Sequence, residues 1–220
     1  MSLIRMENVW FKYPGSSNYA LKNINIEFNK SRVYLVTGPN GAGKTTLLLV
    51  AAGLLKPSKG TVYFMDKPIH EQIPSIRRYI GLLFQNPEIM LFNPTVYDEI
   101  AYTLRQIYND QEVINEIIDK TLNTLGIDHS LLKKPTHMLS YGEKKLVALA
   151  SIIAYNPILL LLDEPYTNIS IKYINKINEI ITRYKREGKT VVIVSHDMIY
   201  CRDMVDQVIH MNNGEIVDVK

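Results

Sequence analysis

At 220 residues, with 46% hydrophobic and 21% charged side chains, the chain has the length and balance of one globular domain with room for an inserted subdomain. A formal net charge of +3 is too slight for a nucleic-acid footprint, and the single cysteine, Cys201, excludes an intrachain disulfide and fits a reducing compartment. The longest apolar runs, such as 146–155, are about half of the ~20 residues that a membrane span needs, and no apolar segment at the start suggests a signal peptide.

In chain order, the segments Ile4–Phe11 and Ala20–Phe28 alternate apolar and polar residues, as half-buried strands do, around a turn at Pro14–Asn18. Val33–Thr37 is an apolar strand that runs into Gly38-Pro39-Asn40-Gly41-Ala42-Gly43-Lys44-Thr45-Thr46, and a helix-forming stretch, Thr46–Ala52, follows. Strands are expected at Thr61–Met65 and Ile80–Gln85. From about Asn86 to Tyr155 the character becomes helical, with Val113, Ile114, Ile117, Ile118, Leu122 and Leu125 at helical spacing before a stop at Gly126, and a further helix over Lys144–Tyr155. Ile158–Leu162 and Thr190–Ser195 read as strands buried on both faces. Between them a stripe from Ile171 to Tyr184 marks a helix ending at Gly188, and Gln207–Met211 with Glu215–Val219 form a hairpin around Asn212-Asn213-Gly214. This order indicates an α/β core with a helical insertion at about 86–155 in a single domain spanning 1–220.

Residues 38–45 match the phosphate-binding pattern G-x-x-x-x-G-K-[ST] in the strand–loop–helix context that it requires. Its glycines let successive N–H groups converge on phosphate oxygens at the positive end of a helix. Lys44 is then placed for the β/γ-phosphates and the Thr45 hydroxyl for Mg²⁺, so the chain is expected to bind a nucleoside triphosphate. Asp163 and Glu164 end the apolar strand 158–162, where the first carboxylate can contact Mg²⁺ and the second can polarise a water. Leu139-Ser140-Tyr141-Gly142-Glu143 opens a helix; the Ser140/Glu143 spacing is that of a capping box, and equally of a helix N-terminus that receives a phosphate from a second site.

Together these segments resemble an ABC-type ATPase, the nucleotide-binding subunit of ATP-binding-cassette transporters, over essentially the whole chain. The resemblance implies a P-loop NTPase core with a parallel sheet, an N-terminal antiparallel β subdomain and an inserted helical subdomain. Gly38–Thr46 resembles the Walker A loop, Asp163 the Walker B aspartate, Glu164 the general base and His196 the switch histidine that contacts the γ-phosphate. Gln85 resembles the Q-loop glutamine that touches Mg²⁺ and the attacking water, and Tyr13 the aromatic that stacks on adenine. Ser140 and Gly142 resemble the signature residues that bind a partner's ATP. Residues 81–88 and 91–100 resemble the Q-loop region of energy-coupling-factor and cobalt/nickel importer ATPases; within them Ile89–Phe92 reads either as part of a groove for a membrane-embedded helix or as core packing.

The resemblance thus implies ATP and Mg²⁺ as ligands, ATP hydrolysis coupled to import, a second ABC ATPase subunit, integral membrane partners, no nucleic acid, and a cytoplasmic place on the inner face of the membrane. The alternatives are a stand-alone ABC ATPase and a non-hydrolysing ATP-binding module. Two departures from the family pattern weaken what this chain offers a partner's site. Tyr141 and Glu143 replace a glycine and a glutamine of the signature, and Asn168-Ile169-Ser170 lacks the D-loop aspartate. Two unit charges ~6 Å apart at an effective dielectric of ~20 repel by about 3 kcal/mol, so a carboxylate beside a γ-phosphate favours pairing with a different ATPase subunit over a homodimer.

Overall fold

A computed structural model describes residues 2–220. Its strands are β1 (Ser2–Phe11), β2 (Leu21–Asn29), β3 (Val33–Thr37), β4 (Lys59–Phe64), β5 (Lys67–Pro68), β6 (Ile80–Leu83), β7 (Leu159–Asp163), β8 (Thr190–Val194), β9 (Gln207–Asn212) and β10 (Glu215–Val219). Its α-helices are α1 (Lys44–Ala51), α2 (Val96–Leu104), α3 (Gln111–Leu125), α4 (Tyr141–Ile153) and α5 (Ile171–Arg186).

The strands form two sheets. One is antiparallel, in the order β2-β1-β4-β5. The other has the order β10-β9-β3-β8-β7-β6 and is parallel from β9 to β6, with β10 antiparallel at its edge. Successive residues of a strand face opposite sides, and here both sides are apolar. Tyr34, Val36, Leu159, Leu161, Val192 and Val194 pack against α1 and the antiparallel sheet. Val33, Leu35, Leu160, Leu162, Val191 and Ile193 pack against the α2–α5 side. β3, β7 and β8 are therefore covered on both faces, and their C-terminal ends open on one edge of the sandwich.

Local chemistry sets the helix limits. The Asp110 side chain accepts from the N–H of Glu112 to cap α3, and Gly126, at φ +60°, closes it in the left-handed conformation. Several expected boundaries move, and two of the shifts have a visible cause. The strand expected through Gln85 ends at Leu83, because the N–H of Phe84 turns to the Met90 sulfur instead of a neighbouring strand. The helix expected from Lys144 starts at Tyr141, because the Ser140 cap holds its first turn. Among the described residues no helix is long and apolar enough to cross a membrane.

Candidate functional site

The C-terminal ends of β3, β7 and β8 meet in an open cleft of about 480 Å³, a volume typical of small-ligand sites. Tyr13, Asn40, Gly41, Ala42, Gly43, Lys44, Thr45, Thr46, Gln85, Asp163, Glu164 and His196 line it, with Ala20 and Val194. The residues of one phosphate loop and four distant segments are thereby brought together.

The loop has no room for other residues at two points. A Cβ on Gly38, at φ +145°, would stand 2.0 Å from the Met211 carbonyl oxygen, and one on Gly43, at φ +97°, 2.5 Å from that of Ala20. No side chain caps α1, so the N–H groups of its first turn remain available to an anion. The Lys44 ammonium, buried in the loop, donates to the carbonyls of Gly38 (2.8 Å) and Pro39 (3.0 Å). Tyr13 is 40% exposed, with its hydroxyl 3.1 Å from the Thr46 hydroxyl, so its ring is open to a ligand at the rim of the cleft.

Thr45 Oγ1 donates to Asp163 Oδ2 at 2.8 Å, while Asp163 Oδ1 is buried without a partner. Burial raises the Asp163 pKa, and the bond from Thr45 opposes that rise. An orphaned carboxylate oxygen beside a threonine hydroxyl, with Gln85 in the same cleft, is a hard oxygen donor set that fits Mg²⁺; this ion takes one or two protein carboxylates and completes its shell with waters and phosphates. Glu164 follows on a left-handed backbone at φ +45°, a costly conformation for a residue with a Cβ. Its Oε2 lies 2.9 Å from His196 Nδ1. That hydrogen bond, then the carboxylate's charge, raises the His196 pKa above the usual histidine value.

Ser140 and Gly142 lie outside this cleft, at the start of α4. Ser140 Oγ accepts from the N–H of Glu143, and Glu143 Oε2 accepts from the N–H of Ser140 at 2.7 Å, a complete capping box. The backbone bond to Ser140 holds the Glu143 carboxyl below its usual range, and Lys134 Nζ lies 3.6 Å away. The Tyr141 ring does not stand out from the helix: its hydroxyl donates to the Gln85 carbonyl at 3.1 Å. In the Ile89–Phe92 stretch the structure divides the alternatives, with Ile89 and Phe92 each 67% exposed and Met90 and Leu91 packed on the core.

Sequence reasoning passed over Lys145. Its ammonium is buried behind Glu164 and donates to the carbonyls of Glu164 (3.0 Å) and Thr167 (3.2 Å); burial pushes its pKa down to about 8 against the pull of Glu164 and Asp163. The signal was a lysine on the core-facing row Gly142, Lys145, Leu146, Leu149 of an otherwise amphipathic helix.

The ABC transporter family model matches residues 21–167. A Methanocaldococcus jannaschii sequence described as an ABC transporter ATP-binding protein is 42% identical over 203 residues, covering 89% of this chain and 72% of that protein. The energy-coupling factor transporter ATP-binding protein EcfA of the same organism is 33% identical over 220 residues, covering 99% and 78%. Among solved structures, cbiO1 of Clostridium perfringens, part of the ABC transporter complex cbiONQ, superposes with a TM-score of 0.86 at 32% identity over 99% of this chain and 88% of that one. A dimeric post-hydrolysis ATP-binding cassette bound to ADP and Pi does so with a TM-score of 0.91 at 27% identity, over 99% and 97%. With its phosphate loop, acidic strand end and histidine on one cleft, the chain belongs to the ATP-binding subunits of the ABC transporter family.

Proposed function

We propose that this chain is the ATP-hydrolysing subunit of an energy-coupling-factor-type importer, acting through membrane partners. The observation that carries the hydrolytic part is the convergence on one cleft of a phosphate loop, an aspartate bonded to its Thr45, and a carboxylate–imidazole pair. The N–H groups of Gly41, Gly43, Lys44, Thr45 and Thr46 receive the phosphates of ATP, and Lys44 exchanges its bonds to the Gly38 and Pro39 carbonyls for phosphate oxygens. Tyr13 offers its ring to the adenine. Thr45, Asp163 and Gln85 would hold Mg²⁺, which when bound offsets the charge of the phosphate oxygens. Glu164 accepts a proton from the attacking water; for this its carboxylate must exchange the bond to His196 for one to that water. His196, released, turns its N–H toward the γ-phosphate.

The importer type rests on the Q-loop region 81–100, on the likeness to EcfA and cbiO1, and on exposed Ile89 and Phe92 in the segment after Gln85 as a seat for a membrane subunit at the cytoplasmic face. The cassette is read as one domain with its helical part at about 86–155. Ser140 and Gly142 serve ATP held by a second cassette. Tyr141, Glu143 and the missing D-loop aspartate favour a different ATPase chain in that place.

Phosphate release by the purified protein tests the reading. Wild type is expected to bind MgATP and to turn over slowly but repeatedly on its own, since a second copy is a poor partner for its cleft, and Glu164→Gln to keep MgATP binding while losing about 100-fold or more of that turnover. A variant as active as wild type, or a wild type that binds no MgATP, overturns it.

A further inference from the structure

Lys145 is 1% exposed, and among the described residues no carboxylate oxygen lies within ion-pair distance of its ammonium. Burying a cation this way is costly, so a chain with no use for the charge would fill the space with an apolar residue. The ammonium is instead spent on backbone: it donates to the carbonyls of Glu164 and Thr167. These bracket a turn entered at φ +45° on Glu164 and left at φ +60° on Asn168, both in the left-handed region. Within the turn the N–H of Thr167 reaches the Glu164 carbonyl only at 3.3 Å. The remaining side of the ammonium is covered by the Tyr141 ring, 5.6 Å away at its centroid and one helical turn earlier on α4.

We propose that Lys145 is a positioning residue for Glu164: from α4 it clamps the backbone of the turn 164–167 and so sets where the Glu164 carboxylate stands. Tyr141 completes the clamp. Its ring lies over the ammonium and its hydroxyl holds the Gln85 carbonyl, so the residue that replaces the signature glycine serves this chain's own cleft. The start of α4, the Q-loop and the hydrolytic carboxylate are joined as one unit. The inference rests on the assignment of Glu164 as the base, and its test separates the two.

Lys145→Met keeps the length of the side chain and removes the donors; Lys145→Gln keeps an NH2 donor group on a shorter stem. The expected result is a kcat about tenfold lower in Lys145→Met with KM and Kd for MgATP within twofold of wild type, and an intermediate kcat in Lys145→Gln. A wild-type kcat in Lys145→Met, a parallel loss of nucleotide binding, or a Lys145→Gln no better than Lys145→Met overturns it. Should Lys145→Met not fold, Lys145→Gln decides alone: lowered kcat at unchanged Kd supports the clamp, and unchanged kcat overturns it. A second readout needs no turnover. The His196 imidazole, 2.9 Å from Glu164, reports by NMR where that carboxylate stands. Its titration midpoint is expected to fall in the variants, and a midpoint equal to that of wild type overturns the clamp even if Glu164 is not the base. Loss of turnover in Lys145→Met with full turnover in Glu164→Gln would instead sink the assignment of the base.

Discussion

Glu164 and His196 hold each other in a way that bears on the proposed role of Glu164 as the base. A carboxylate that accepts a hydrogen bond from an imidazolium is a poorer base than a free one, because taking a proton from water means giving up a charged partner. The pair also sets a pH dependence. The His196 pKa is raised above the usual 6.5, first by the hydrogen bond to Glu164 and then by its charge. The stabilisation it contributes is full below pH 6.5 and is lost as pH rises through the higher folded-state value. Glu164→Gln removes both causes, so the His196 midpoint, followed by NMR, is expected to drop back toward 6.5. An unchanged midpoint would mean that the pair does not form in solution. Motif spacing disclosed both residues, yet not their contact, since 32 residues separate them along the chain and only the register of β7 beside β8 brings the two strand ends together.

At the scale of elements, the start of α4 carries a packing task beside the role proposed for it. Gly142 sits in its first turn, where alanine would ordinarily favour the helix by about 1 kcal/mol over glycine. Here a Cβ would stand 2.4 Å from two ring carbons of Tyr173 on α5, so the glycine lets the two helices meet. Gly142→Ala is therefore expected to destabilise the fold by about 1–3 kcal/mol in urea denaturation, and a more stable variant would refute the contact. Elements made of continuous apolar residues were legible: β3 appears at its expected limits and β7 within one residue of them, because burial on both faces leaves no polar position to blur the run. Element ends were less so. α4 gains a turn from a cap whose bonds run between backbone and side chain, and β6 stops short of Gln85 because of a sulfur contact six residues on. Lys145 stayed hidden for a related reason: a lysine on a helix is ordinarily solvated, and only the tertiary fold sets the Glu164 and Thr167 carbonyls within its reach.

For the whole molecule, the decisive arrangement is that one chain carries two unlike surfaces, a cleft with the apparatus for its own ATP and a start of α4 that lies outside it. Charge makes the second surface a poor match for a phosphate. Glu143 stays anionic, held by the N–H of Ser140, and Lys134 at 3.6 Å offsets only part of that charge because the pair is partly solvated. Tyr141 is committed to Gln85 of its own chain and offers no donor to an incoming phosphate. Two copies of this chain would meet that obstacle twice, whereas a partner with an unaltered signature would relieve it at this chain's cleft. Glu164→Gln with MgATP is therefore expected to sediment as a monomer. Adding Glu143→Gln, which removes the charge and leaves the Tyr141 clip in place, should shift it measurably toward a dimer. A tight homodimer of Glu164→Gln alone would mean that the capped carboxylate and the folded-back tyrosine already accommodate a second chain's ATP, and that one gene product suffices for both halves of the assembly.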